Sequence, residues 1–91
     1  MARKVLKPVA SDKDDIKSAE PGDFCYYLNG SNKPVFAEIQ KVFIENDLLV
    51  LEVICQQEYK FRALPYYYCS FNEKSLKGKK RIDLKKGEGH V

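Results

Sequence analysis

From Asp23 onward the apolar residues stop following any helical spacing and recur in short alternating or continuous runs, each closed by a turn signal. That pattern constrains the chain to strands. Pro21-Gly22-Asp23 is a turn leading into Phe24 to Leu28, with Phe24, Tyr26 and Leu28 on one face and Cys25 and Tyr27 on the other. Asn29-Gly30-Ser31-Asn32 closes this run as a loop. In Val35 to Ile44, Ala37, Ile39 and Lys41 share one face while Phe36, Glu38, Gln40 and Val42 share the other. The phase slips near Lys41-Val42, which predicts a bend or bulge. Glu45-Asn46-Asp47 makes a hairpin turn into Leu48 to Cys55, an apolar, β-branched stretch suited to a central strand. Gln56-Gln57-Glu58 interrupts it, and Tyr59 to Leu64 then begins by alternating aromatic with basic residues, as a half-exposed strand does. Pro65 turns the chain into Tyr66-Tyr67-Tyr68-Cys69-Ser70-Phe71, where strand geometry would send Tyr67 away from Tyr66 and Tyr68.

These runs predict an all-β domain, a small antiparallel SH3-like barrel of about five strands with flexible ends, since closure removes the edges a small sheet can ill tolerate. Residues 1–20 are a lead-in, including Lys4 to Val9 and the acidic patch around Asp12, Asp14 and Asp15. Ser11 followed by Asp14 resembles a capping box, allowing one helical turn before Pro21-Gly22 ends it. Residues 21–72 are the barrel. Residues 73–91 are a basic segment with one further strand, Lys80 to Leu84, and a frayed tail from Lys85 to Val91.

Cys25, Cys55 and Cys69 are odd in number, widely spaced and embedded in apolar runs, so they read as buried reduced thiols. The sole histidine is His90, and no close Cys or His pairs supply metal-ligand spacing. No metal or cofactor is expected. Glycines are scattered rather than gathered in a phosphate-cradling loop, and no nucleophile has a base beside it, so the sequence reads as non-enzymatic. No run approaches the roughly 20 apolar residues of a membrane helix, and the start lacks a secretory core, which predicts a soluble, intracellular protein.

Pro21-Gly22-Asp23-Phe24-Cys25-Tyr26-Tyr27, followed by Lys33-Pro34-Val35-Phe36-Ala37-Glu38-Ile39-Gln40-Lys41-Val42-Phe43, resembles the opening of Bromo-adjacent homology and Tudor domains. Both families begin with a Gly-Asp turn into an apolar strand and continue with an aromatic, Ala or Gly, charged, Ile strand. The resemblance covers residues 21–68. It implies an SH3-like barrel that binds a protein segment, a histone-type or methylated peptide, in a chromatin-associated and nuclear setting.

Two residue sets could carry recognition. Tyr26, Tyr27, Tyr59, Tyr66 and Tyr68 are candidates for the ligand surface, because ring faces attract methylated cations, although the same rings can simply fill the barrel. Glu38, Glu52 or Glu58 could complement a basic peptide. The second set rests on charge. Residues 73–91 hold seven basic and three acidic side chains, whereas residues 1–23 hold five of each and residues 24–72 hold four and five. The excess is therefore C-terminal. Lys60, Arg62, Lys77, Lys79, Lys80 and Arg81 are accordingly candidates for binding DNA or RNA, and Lys79-Lys80-Arg81 permits nuclear import. A third expectation is an assembly domain offering a strand edge to a larger complex. Nothing in the sequence sets the oligomeric state.

Overall fold

The computed structural model describes residues 10–88. Expectations for Lys4 to Val9 and for His90 lie outside the described residues. Five antiparallel strands, β1 (Phe24–Leu28), β2 (Pro34–Glu45), β3 (Leu48–Cys55), β4 (Lys60–Pro65) and β5 (Cys69–Ser70), form one sheet in the order β4-β3-β2-β1-β5. The all-β, barrel-like class predicted from the sequence is what the chain adopts. Among the described residues no helix is long and apolar enough to cross a membrane.

Alternation explains which side chains enter the core. Cys25 and Tyr27 of β1, Ala37 and Ile39 of β2, and Leu51, Val53 and Cys55 of β3 are all buried, and Leu64 of β4 pairs with Leu51 on the same side. The phase slip in β2 is a bulge: Ile39 pairs with Val53 and Lys41 with Glu52, leaving Gln40 as the extra residue. After it the inward positions shift by one, so that Val42 rather than Lys41 packs against the core. Asn46 and Asp47 both have positive φ, at 54° and 63°, the backbone that a tight two-residue hairpin between twisted strands requires. At the other end of β1, Gly22 at φ 98° lets the turn from Glu20 to Asp23 close, and its N–H donates to the Ile39 carbonyl at 2.8 Å. All three cysteines are free and buried.

The lead-in is docked where it is described. A 3-10 turn spans Ile16–Ser18, capped by the Asp15 carboxylate rather than by Ser11. Ala19 is buried, Ile16 packs on the core, and Lys13 Nζ reaches Glu20 at 2.9 Å and Asp23 at 2.8 Å. The carboxyl of Asp23 is held below its usual range first by that lysine.

Two expectations need correction. Tyr66–Tyr68 is a 3-10 turn, not a strand, and β5 is only Cys69–Ser70. Tyr66 is thereby turned into the core, where it is 8% exposed. The predicted strand Lys80 to Leu84 is instead the start of a helix, α1 (Arg81–Glu88), which also takes in part of the tail expected to fray. Ile82 and Leu84 suit a strand by their spacing, but the half-buried positions are Arg81 and Leu84, three apart, and Ile82 is 60% exposed. That is helical periodicity, and Arg, Leu and Lys favour it intrinsically.

Candidate functional site

The sheet does not close on itself. β4 pairs only with β3, so it forms one edge, and a cleft of about 500 Å³ runs beside it. One wall is Phe61 to Leu64 of β4; the other is the β1–β2 loop from Asn29 to Ser31; Tyr27, Leu28 and Arg81 complete the lining. Phe61 and Arg62 both border it, although their side chains point to opposite faces of the strand. Phe61 is 61% exposed. Arg62 lies beyond Leu64 on the core side and is set against the Tyr27 side chain. Burial raises the Tyr27 phenol above its usual pKa, the Cys55 thiol and, least, the nearby Glu58 carboxylate add to the rise, and the Arg62 guanidinium opposes it by its charge and by a hydrogen bond to the phenol.

The β1–β2 loop is held by its own side chains. Asn29 Oδ1 accepts from the N–H groups of Ser31 and Lys33, each at 2.9 Å. Asn32 then adopts a left-handed backbone, φ 61°, which asparagine tolerates better than most residues. This aims its side chain at α1, where Oδ1 accepts from the Arg81 backbone N–H at 2.9 Å. That donor belongs to the first helical turn and has no partner within the helix. The Arg81 guanidinium lies 4.2 Å from the centroid of the Tyr68 ring, and Tyr67 packs edge-on against the same ring. Nε of Arg81 is buried and has no hydrogen-bond partner among the described residues. No Asp or Glu lines the cleft. Chemically, then, it is a basic slot bordered by a strand that also carries an exposed ring, Phe61.

The five candidate tyrosines do not converge. Tyr27 and Tyr66 are buried. The ring of Tyr66 has Lys17 Nζ 5.1 Å from its centroid, and Tyr68 is covered by Arg81, so two of the candidate rings already face cations of this chain. Tyr59 is 75% exposed at the end of the β3–β4 turn. Tyr26 lies on the opposite face of the sheet from Tyr27, with its ring 5.3 Å from that of Phe36, and borders a second cleft. That cleft, also about 500 Å³, is lined by residues including Asp12, Asp14, Glu73, Lys13 and Lys74. Of the candidate carboxylates, Glu38 accepts from Gln56 Nε2 at 3.2 Å and Glu52 pairs with Lys41 across β2 and β3.

The basic set is brought together in part. Arg62 and Arg81 line one cleft, Lys60 is exposed on the same strand, and Lys77, Lys79 and Lys80 are exposed on the segment leading into α1. Sequence reasoning missed Phe61, Gly30, Ser31 and Asn32 as members of this site. The alternation of rings and cations in Tyr59 to Arg62 was the available signal for Phe61. Nothing local marks Asn32, whose partner is 49 positions away. Among the described residues no group of three or more His, Cys, Asp or Glu side chains is placed to hold a metal ion. Comparison with family models, with curated proteins and with solved structures gives no match for this chain.

Proposed function

We propose that the chain is a non-catalytic recognition module that binds nucleic acid along β4 and the segment leading into α1. The observation that supports this most is the meeting of Arg62 and Arg81 in a cleft without a carboxylate. Lys60, Lys77, Lys79 and Lys80 would extend the basic track on either side of it. A nucleic-acid backbone matches that charge, and its affinity should fall with salt by a log–log slope of roughly −0.7 to −0.9 for each phosphate neutralised. Fluorescence anisotropy with a labelled oligonucleotide at two salt concentrations tests the proposal. Replacing Lys77, Lys79 and Lys80 together by Gln should flatten the slope while leaving the fold intact, because all three are exposed. A wild-type protein that binds no oligonucleotide at low salt refutes it. Removing residues 73–91 would be a poorer test, since it would also remove Leu76, which is 2% exposed in the interior.

A second reading is supported by the open edge of β4. An extended peptide can add there as a further strand, with main-chain hydrogen bonds giving affinity. This would be the protein-segment module that the Bromo-adjacent homology and Tudor resemblance implies, acting on a histone-type peptide in a nuclear, chromatin-associated setting. Peptide-induced shifts of the Phe61 and Ala63 amides, without salt sensitivity, would favour it. Self-association that rises with protein concentration, with neither ligand bound, would favour an assembly role.

A further inference from the structure

A basic slot alone would accept the backbone of paired or unpaired strands alike, but the cleft carries a second feature that separates them. Phe61 is a large apolar ring, 61% exposed, fixed on a strand and flanked by Lys60 and Arg62. In a duplex the base faces are already stacked on one another, and a ring on the protein surface must unstack a step to reach one. In a single strand every base offers a free π-face, and stacking on it is insensitive to sequence.

Resting on the nucleic-acid reading above, we propose that this cleft is a single-strand site, in which one backbone phosphate sits between Arg62 and Arg81 while a neighbouring unpaired base stacks on Phe61. Arg81 is suited to the phosphate because its orientation is set before any ligand arrives, by the Tyr68 ring beneath it and the Asn32 bond to its backbone. Its guanidinium is among the groups that line the cleft, which places a fixed positive charge there. Arg62 approaches from the opposite wall, so the two guanidiniums reach the slot from separate elements. The cleft volume, about 500 Å³, accommodates a nucleotide-sized group.

The test is fluorescence anisotropy on the full chain with three labelled probes: oligothymidylate, a DNA hairpin of equal length, and polyglutamate of equal charge. Wild type should bind oligothymidylate about tenfold more tightly than the hairpin or polyglutamate. Phe61→Ala should lose about that factor on oligothymidylate with its salt slope unchanged, and Phe61→Tyr should keep it. Arg62→Ala should lower the slope by about 0.7, the value for one phosphate of a single strand. Circular dichroism confirms that each variant is folded, which the exposure of both positions favours. Equal affinity for the hairpin, or an oligothymidylate affinity unchanged by Phe61→Ala, overturns the single-strand site while the broader nucleic-acid reading stands. Equal affinity for polyglutamate, reduced equally by Arg62→Ala, overturns it in favour of an acidic peptide. Failure of the wild type to bind either nucleic acid overturns both.

Discussion

Replacing Asn32 by Gly should loosen α1 without disturbing the sheet. The helix is eight residues, about 12 Å long, and a helix that short is not stable alone in water. Its docking rests on the half-buried Leu84, on Arg81 over Tyr68, and on the Asn32 side chain accepting from the Arg81 N–H. Asn32→Gly deletes that acceptor and nothing else at the site, because φ 61° is a region glycine enters freely. Asn32→Ala would confound the test by adding roughly 1 kcal/mol of backbone strain. Loss of one such capping bond costs about 1 kcal/mol, which corresponds to opening of the first turn about five times more often. Native-state amide exchange at Asp83 and Leu84, whose N–H groups donate to the Lys80 carbonyl, should therefore accelerate about fivefold. The added glycine also raises the entropy of the unfolded chain, but that contribution is global and would appear equally at Leu51 and Val53. Asn32→Asp keeps the acceptor and should leave exchange near the wild-type rate. If Asp83 and Leu84 exchange no faster in Asn32→Gly, or accelerate only as much as Leu51 and Val53, the bond does not hold α1.

Leu51→Ala, at a position with 0% exposure in the centre of β3, should lower unfolding free energy by about 2–5 kcal/mol in urea, whereas Ile44→Ala at 72% exposure on the hairpin should change it by less than about 0.5 kcal/mol. Stability should fall in alkali: Tyr27 and Tyr67 are raised mainly by burial, and Cys69 by its hydrogen bond with Cys25 and by burial. The native state therefore keeps protons that the unfolded chain releases, so the urea midpoint should hold near neutrality and drop once the pH passes the ordinary thiol and phenol range, about 8.5–10. Asp23 is lowered in the native state by Lys13, so its contribution is present above an ordinary carboxylate pKa of about 3.9 and is lost as the pH falls below it; Asp23→Asn should flatten that acid limb. Arg62→Glu should abolish oligonucleotide binding yet stay monomeric wherever wild type is monomeric, as read by analytical ultracentrifugation.

The sheet was legible because strand alternation is local; that it stays open was not. The opposite faces of Phe24 and Cys25, the phase slip near Lys41-Val42, and the turn at Glu45-Asn46-Asp47 each need only a few neighbouring residues to be read; the structure has the first as read, the slip slightly earlier, at Gln40, and the turn at Asn46-Asp47. The C-terminal segment failed for the complementary reason. In Arg81 to Leu84 the apolar pair suits a strand while the pair three apart suits a helix, and so short a window cannot choose between them. The choice is made by Asn32 and Tyr68, partners distant in sequence. The strand expected over Tyr66 to Tyr68 failed differently. Aromatic composition says that rings are available but not which way they face, and the 3-10 turn at Tyr66–Tyr68 overrode the alternation expected of a strand. Arg62 and Arg81 were each visible as cations; their meeting depends on the β1–β2 loop bringing the start of α1 toward β4.

The same edge can be explained without any ligand, and the distinction turns on sign. A sheet that leaves β4 unpaired must guard it against pairing with another chain, and charged side chains on the edge do so. Lys60 and Arg62 meet that need, but Glu would meet it equally well, since any charge forced between two pairing strands is penalised. Protection alone therefore gives no reason for a cation on α1 to be turned toward the same seam, nor for the seam to lack a carboxylate. Nor does it explain the exposed Phe61, which raises the risk of association that the neighbouring charges reduce. The proposed ligand, an anion with an aromatic face, would account for all of these at once: the guanidiniums would take the charge and the ring the face, with the edge guarded in its absence.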